Sequence, residues 1–203
     1  MMKLDIKQVN KELFSAQFVI CRELEEVGRI EVEGKLLSLL THIYVHYNEK
    51  TYEVVQPKQY NAINNSFKIM EDNQKVGEIM CLTRKTGWFS QYTYVVFRFK
   101  NKIYKAFPIG LGKEGIKIPI YVGNKQIAQI NKECIVIDDL HHFQLFAHNE
   151  EDIISTIILS IYYYFVNNYK PGEKKISYKE TVYIKDNNKE LKSKYNPEFE
   201  KKC

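Results

Sequence analysis

Residues 150–169 read EEDIISTIILSIYYYFVNNY, and that stretch decides the fold. On a helical wheel Ile153, Ile154, Ile157, Ile158, Leu159, Ile161, Tyr162, Phe165 and Val166 cover almost the whole circumference, so a helix over 152–169 belongs inside a protein core. Asn149 is placed to cap it, Glu150, Glu151 and Asp152 suit the positive end of its dipole, and Pro171-Gly172 stops it. A membrane span is the competing reading. The low-polarity run 153–166 includes Ser155, Thr156 and Ser160 and is about 14 residues long, short of the roughly 18–20 that a bilayer requires. An amphipathic surface helix is excluded too, because no face carries Lys or Arg.

A helix that is apolar all round needs a wall on every side, and the preceding sequence supplies strands. Three segments superpose by their apolar positions. The first has Phe18 and Ile20, a charged turn over 22–26, then Val27, Gly28 and Ile30; the second has Phe67 and Ile69, a polar turn over 71–75, then Val76, Gly77 and Ile79. The third has Ile118 and Ile120, a turn over 123–126, then Ile127, Ala128 and Ile130. Apolar residues alternate at period two on both arms, the signature of a hairpin with one buried face. The small residue on each return arm allows a bulge or a close neighbour across the sheet, and a packed helix would be such a neighbour.

Further strands are expected over 41–47, 51–55, 92–99, 103–107, 134–137 and 142–146, about a dozen in all, enough to close a barrel and remove exposed edges. The fold class is therefore mostly β (α+β): a closed antiparallel β-barrel of about 12 strands around a central buried hydrophobic helix, 152–169.

Composition agrees with one domain. The chain has 203 residues, 44% of them hydrophobic, with 15 Tyr and 11 Phe favouring sheet. Its net charge of +5, from 30 basic and 25 acidic residues, is spread along the chain as solubility requires. Residues 1–170 form the barrel with its helix. The extension 171–203 offers one further strand from Ile176, Tyr178, Val182 and Ile184, then a charged, flexible tail over 185–203. The extension holds nine Lys against six acidic residues, +3 of the total. Cys21, Cys81, Cys134 and Cys203 form no C-x-x-C pair, and residues 1–17 contain no apolar export signal; both point to a reducing cytoplasm.

The motifs are weak. Gly110, Gly112 and Gly115 spell G-x-G-x-x-G, but strand follows where a dinucleotide fingerprint needs a helix. What survives is a candidate anion-binding loop formed by Gly110, Gly112, Lys113, Gly115 and Lys117. His42 and His46 are spaced for a helix rather than a strand, and His141, His142 and His148 cluster elsewhere, so no metal site is assigned. No catalytic residue and no cofactor is assigned: there is no G-x-S-x-G elbow, and Asp138-Asp139 reads as a turn. Tyr92, Tyr94, Phe97, Arg98, Phe99, Lys100 and Tyr104 interleave aromatics with bases as a nucleic-acid platform would, yet alternation divides them between two faces, which favours packing.

Strands with G-x-I returns, then His142 to Phe146, then an acidic-to-apolar helix over 150–166, resemble the tubby C-terminal-like superfamily across roughly 12–169. Its relatives include tubby proteins, plant LURP-one-related proteins and phospholipid scramblases. The resemblance implies a closed barrel around a hydrophobic helix and a non-enzymatic binding or scaffold role in contact with anionic phospholipid headgroups or a protein partner. No position here matches a tubby headgroup-binding residue, and the long extension after the helix departs from the family pattern. The other readings are a small-molecule-binding barrel or an unrecognised hydrolase, with nucleic-acid binding third.

Overall fold

A computed structural model describes residues 1–12, 15–34, 41–56, 66–85, 91–110, 115–132, 140–166 and 193–202. The strands run β1 Met2–Lys11, β2 Ser15–Arg22, β3 Glu25–Gly34, β4 Thr41–Tyr47, β5 Lys50–Val55, β6 Phe67–Glu71 and β7 Gln74–Lys85. They continue as β8 Gln91–Phe99, β9 Lys102–Ala106, β10 Ile109–Gly110, β11 Ile116–Val122, β12 Lys125–Lys132 and β13 His142–Ala147, followed by helix α1, Glu150–Val166. The expected strand over 134–137, the strand drawn from Ile176 to Ile184 and the helix's last residues, 167–169, lie outside the described residues.

Every pairing is antiparallel, and the order β11-β12-β13-β1-β2-β3-β4-β5-β6-β7-β8-β9 returns to β11 through Ala106 opposite Ile120. β10 pairs with the same edge of β11 beyond the break at Phe107-Pro108, so it prolongs β9 and the barrel has twelve staves. An all-antiparallel ring closes only with an even number. β1 is the stave that sequence reading passes over; it joins β13 to β2, and Leu4 and Ile6 point inward while Lys3, Asp5 and Lys7 alternate outward.

The three expected hairpins are β2–β3, β6–β7 and β11–β12, each with a register shift at the matching position, Ile20/Cys21, Ile69/Met70 and Ile120/Tyr121. The reason for the small residue differs from the helix contact that the sequence suggests. A Cβ on Gly77 would lie 2.6 Å from the Arg98 carbonyl oxygen and 3.1 Å from the Phe99 ring, so the next strand, not the helix, fills the space. Gly28 is blocked in the same way by the His46 carbonyl and the Tyr47 ring. In the third hairpin Ala128 faces Ala147 instead of an aromatic, and a methyl fits there.

α1 begins where the sequence places it: the Asn149 side-chain oxygen accepts from the Asp152 amide at 2.9 Å, an N-cap. Every residue from Asp152 to Tyr163 is buried. Ser155, Thr156 and Ser160 tolerate that burial because their hydroxyls donate back to the helix carbonyls of Glu151, Asp152 and Ile157. The wall meets the helix from several sides: Phe67 of β6 packs edge-on against Tyr162 at 5.4 Å, and Phe18 of β2 against Tyr164 at 5.0 Å. The acidic first turn is tied to the barrel mouth. Glu150 accepts from Tyr47 at 2.7 Å and Asn48 at 2.5 Å and pairs with Arg22, while Lys102 reaches Glu151 at 2.6 Å and Asp152 at 3.3 Å. The described residues contain no helix long and apolar enough to cross a membrane.

Candidate functional site

With a helix filling its axis, this barrel presents its chemistry on the outside and at its ends. On β11, Ile116, Ile118 and Ile120 face inward and Lys117, Pro119 and Tyr121 face outward. On β8 and β9 the inward residues are Val95, Phe97, Phe99, Tyr104 and Ala106. That leaves Tyr92, Tyr94 and Lys105 outside, and Phe107 joins them where Pro108 interrupts the strand. Alternation thus splits the aromatic–basic stretch as expected: Phe97, Phe99 and Tyr104 pack in the core, Tyr92 and Tyr94 line a groove, and Arg98 and Lys100 pair with Glu78 and Glu71.

The groove encloses about 110 Å³ and is bounded by Arg84, Tyr92, Tyr94, Lys105, Phe107, Tyr121, Gly123, Asn124 and Lys194. Its floor is a second, smaller apolar cluster of Phe107, Ile109 and Tyr121, backed by Tyr94 and Tyr195. The Phe107 and Tyr121 rings lie parallel, 4° apart at 5.6 Å. The Tyr121 hydroxyl is buried, and among the described residues it has no hydrogen-bond partner. Burial, with Tyr195 nearby, pushes its pKa up, so it stays a neutral donor. Three cations and no carboxylate stand among these lining residues. A space of this size holds one compact anionic group or a single ring; for scale, an apolar cavity of about 150 Å³ admits benzene.

Lys194 belongs to the C-terminal segment. Residues 193–202 lie on the outer wall, where sequence reading expects a flexible tail, and Phe199 is the anchor at 3% exposure. This segment also takes up part of the glycine-rich loop. Lys117 donates to Glu200 at 2.8 Å and is largely covered. Gly110 pairs with Ile116 across β10 and β11, and Gly115 has a left-handed backbone. Gly112 and Lys113 lie outside the described residues.

The histidines are dispersed. His42 pairs with Glu53 and His142 with Asp5, both at 2.8 Å, and His46 contacts Thr51 at 2.9 Å. His148 meets the Phe199 ring. No group of three or more His, Cys, Asp or Glu side chains that could hold a metal ion occurs among the described residues. Cys21 is buried, and burial raises the Cys81 thiol's pKa, which leaves it a poor nucleophile.

A third polar group lies inside the barrel at the end opposite the helix entrance. Lys132 is 1% exposed with its ammonium 5.6 Å from the Phe143 ring centre, and His141 is 2% exposed against Tyr164. Burial and the neighbouring charges of Lys132 and Lys11 lower the His141 pKa to about 3. The His141 and Phe143 rings both pack edge-on against Tyr164 in the last described turn of α1.

Sequence reading missed the groove because its cations come from β7, β9 and the C-terminal segment. Two signals were available: Pro108 breaking a strand, and Tyr92 and Tyr94 occupying the solvent face of an alternating strand. No family model matches the chain, and the searches of curated proteins and of solved structures return no match.

Proposed function

We propose that this chain is a cytoplasmic, non-enzymatic binding domain of the tubby-like type, which holds an anionic group in the groove between β8, β9, β11 and residue 194. The closed barrel with a central apolar helix supports the family reading. The observation that carries the function is the groove itself, whose lining brings together Arg84, Lys105, Lys194 and Tyr121, the last with a buried hydroxyl that has no partner among the described residues. A buried donor left unpaired costs about 1–3 kcal/mol, which an acceptor in the groove would recover. Phosphate or carboxylate oxygens are the acceptors that match three cations and a hydroxyl. A phospholipid headgroup brings such oxygens to a membrane surface, and a soluble phosphate ester brings them free.

Co-sedimentation tests the reading with phosphatidylcholine vesicles, with and without added phosphatidylserine, and with soluble glycerol phosphate as competitor. Sedimentation with the anionic vesicles alone, weakened by Lys105→Glu, supports a membrane-bound headgroup. Binding of glycerol phosphate without vesicle binding assigns the groove to a free ester. Equal, negligible binding in every arm removes the proposal.

A further inference from the structure

The outer face of β12 carries Gln126, Gln129 and Asn131, amides that water would cover on an ordinary barrel wall. Here they are 9%, 0% and 7% exposed because the C-terminal segment lies over them. They form a chain: Gln126 donates to Gln129 at 3.0 Å and Gln129 to Asn131 at 2.7 Å. The segment completes it at both ends. The Asn196 amide donates to Gln126 at 3.0 Å, and one oxygen of Glu200 accepts from Lys117 at 2.8 Å, Gln129 at 3.1 Å and Asn131 at 2.5 Å. Burial alone would raise the Glu200 pKa; the hydrogen bonds from Lys117 and Asn131 and the charges of Lys117 and Lys201 outweigh it, so the carboxyl stays ionised below its ordinary range.

The segment shapes itself before it meets the wall. The Asn196 side chain accepts from the Glu198 amide at 3.0 Å, and the Phe199 amide donates to the Asn196 carbonyl at 3.2 Å, a turn that Pro197 favours. Phe199 then inserts with its ring 5.1 Å from that of His148. One buried aromatic, one carboxylate read by three donors and a preformed turn are the elements of a peptide ligand in its receptor. Asn196 and Glu200 rest on amides and an ammonium, which water can solvate again, and Tyr195 covers only the small outer cluster of Phe107, Ile109 and Tyr121, so the segment can leave without exposing the core around α1.

We propose that the outer face of β11 and β12 is a peptide-recognition site for a turn of the type Asn-Pro-Glu-Phe-Glu, filled in cis by residues 196–200 and open to a peptide of the same chemistry in trans. This inference is independent of the anion groove, although release of the segment would also carry Lys194 away from it.

The test uses the full chain. A fluorescein-labelled peptide of residues 193–203 is titrated by anisotropy into the wild type and into the double variant Phe199→Ala/Glu200→Lys, whose own segment has lost both anchors. The variant is expected to bind saturably and the wild type at least about tenfold more weakly, because an intramolecular competitor acts at an effective concentration on the order of millimolar. A peptide with alanine in place of the same Phe and Glu is expected not to bind. A variant that retains the wild-type circular dichroism yet ignores the peptide overturns the proposal, as does equal binding to both proteins. Should the double variant fail to fold, hydrogen exchange of the wild type decides. Excess peptide must accelerate exchange of the Phe199 and Lys202 amides, which donate to Asn196 and Phe199 carbonyls; unchanged exchange at high peptide refutes the site.

Discussion

Replacing Gly77 with alanine should destabilise the barrel, and the size of the loss follows from two contacts. The added methyl would stand 2.6 Å from the Arg98 carbonyl oxygen and 3.1 Å from the Phe99 ring. The first neighbour is backbone in a strand paired on both sides, so it can yield only by straining the β7–β8 ladder. The second is a fully buried ring that also packs on Tyr52 and Phe97. Overpacking of this kind costs about 1–3 kcal/mol. Against it, alanine restricts the unfolded chain and returns about 0.4–1 kcal/mol. The net loss is about 1–2 kcal/mol, or a melting midpoint roughly 2–8 °C lower for a chain of this length. Gly28→Ala should cost more, because the ring that must move belongs to Tyr47, whose hydroxyl holds Glu150 at the helix entrance. Urea and thermal melts followed by circular dichroism measure both. A Gly77→Ala protein as stable as the wild type, or more so, would refute the reasoning, since it would show that the glycine serves no close approach.

Three other outcomes follow from the same structure. Ile157→Ala, at a fully buried position in the middle of α1, should cost about 2–5 kcal/mol in urea melts, whereas a loss well under 1 kcal/mol would mean that the helix is not enclosed. Asn149→Ala removes the cap on the Asp152 amide and should cost about 1 kcal/mol, with Asn149→Asp retaining most of it. His141 titrates near 3 in the fold, below the unfolded value near 6.5, so stability is full above about pH 6.5 and declines as the pH falls towards 3, because only the unfolded chain takes up the proton. Urea midpoints should therefore be lower at about pH 5 than at about pH 7.5, and His141→Gln should flatten that difference.

The parts of the fold legible in the sequence are those whose physics is local. A helix apolar on every side states its own burial, and Asn149 with three acids states where it starts. The hairpins are legible because alternation and turn chemistry act within a few residues. β1 is obscured because its inward run is Leu4 and Ile6 followed by Gln8, a buried amide that donates to the Tyr164 hydroxyl at 3.3 Å. No period marks such a residue as inward; only the partner at the end of the helix does. Phe199 is a more extreme case. It stands alone between Glu198 and Glu200, and it is buried against His148, distant in sequence, where Glu200 is held by amides of β12. The groove is hidden for the same reason, since Arg84, Lys105, Tyr121 and Lys194 converge only when β9 meets β11.

The glycine repeat connects these levels. Because the same small residue follows the same bulge in successive hairpins, each return strand can lie close under its neighbour's aromatic ring, Tyr47 over Gly28 and Phe99 over Gly77. Those rings thicken the wall inward, and with α1 they fill the barrel. In the third hairpin the neighbour is Ala147, the last residue of β13 before the chain turns into the helix, so the aromatic layer is absent where the chain itself enters the interior. That hairpin is elaborated on its outer side, with Gln126, Gln129 and Asn131 bonded to Asn196 and Glu200, and Tyr121 in the adjoining groove. A wall whose inner face is committed to the helix has only its outer face left for recognition. Among the described residues the outer face of the third hairpin carries buried amides under the C-terminal segment and adjoins the groove, which is why both proposals fall there.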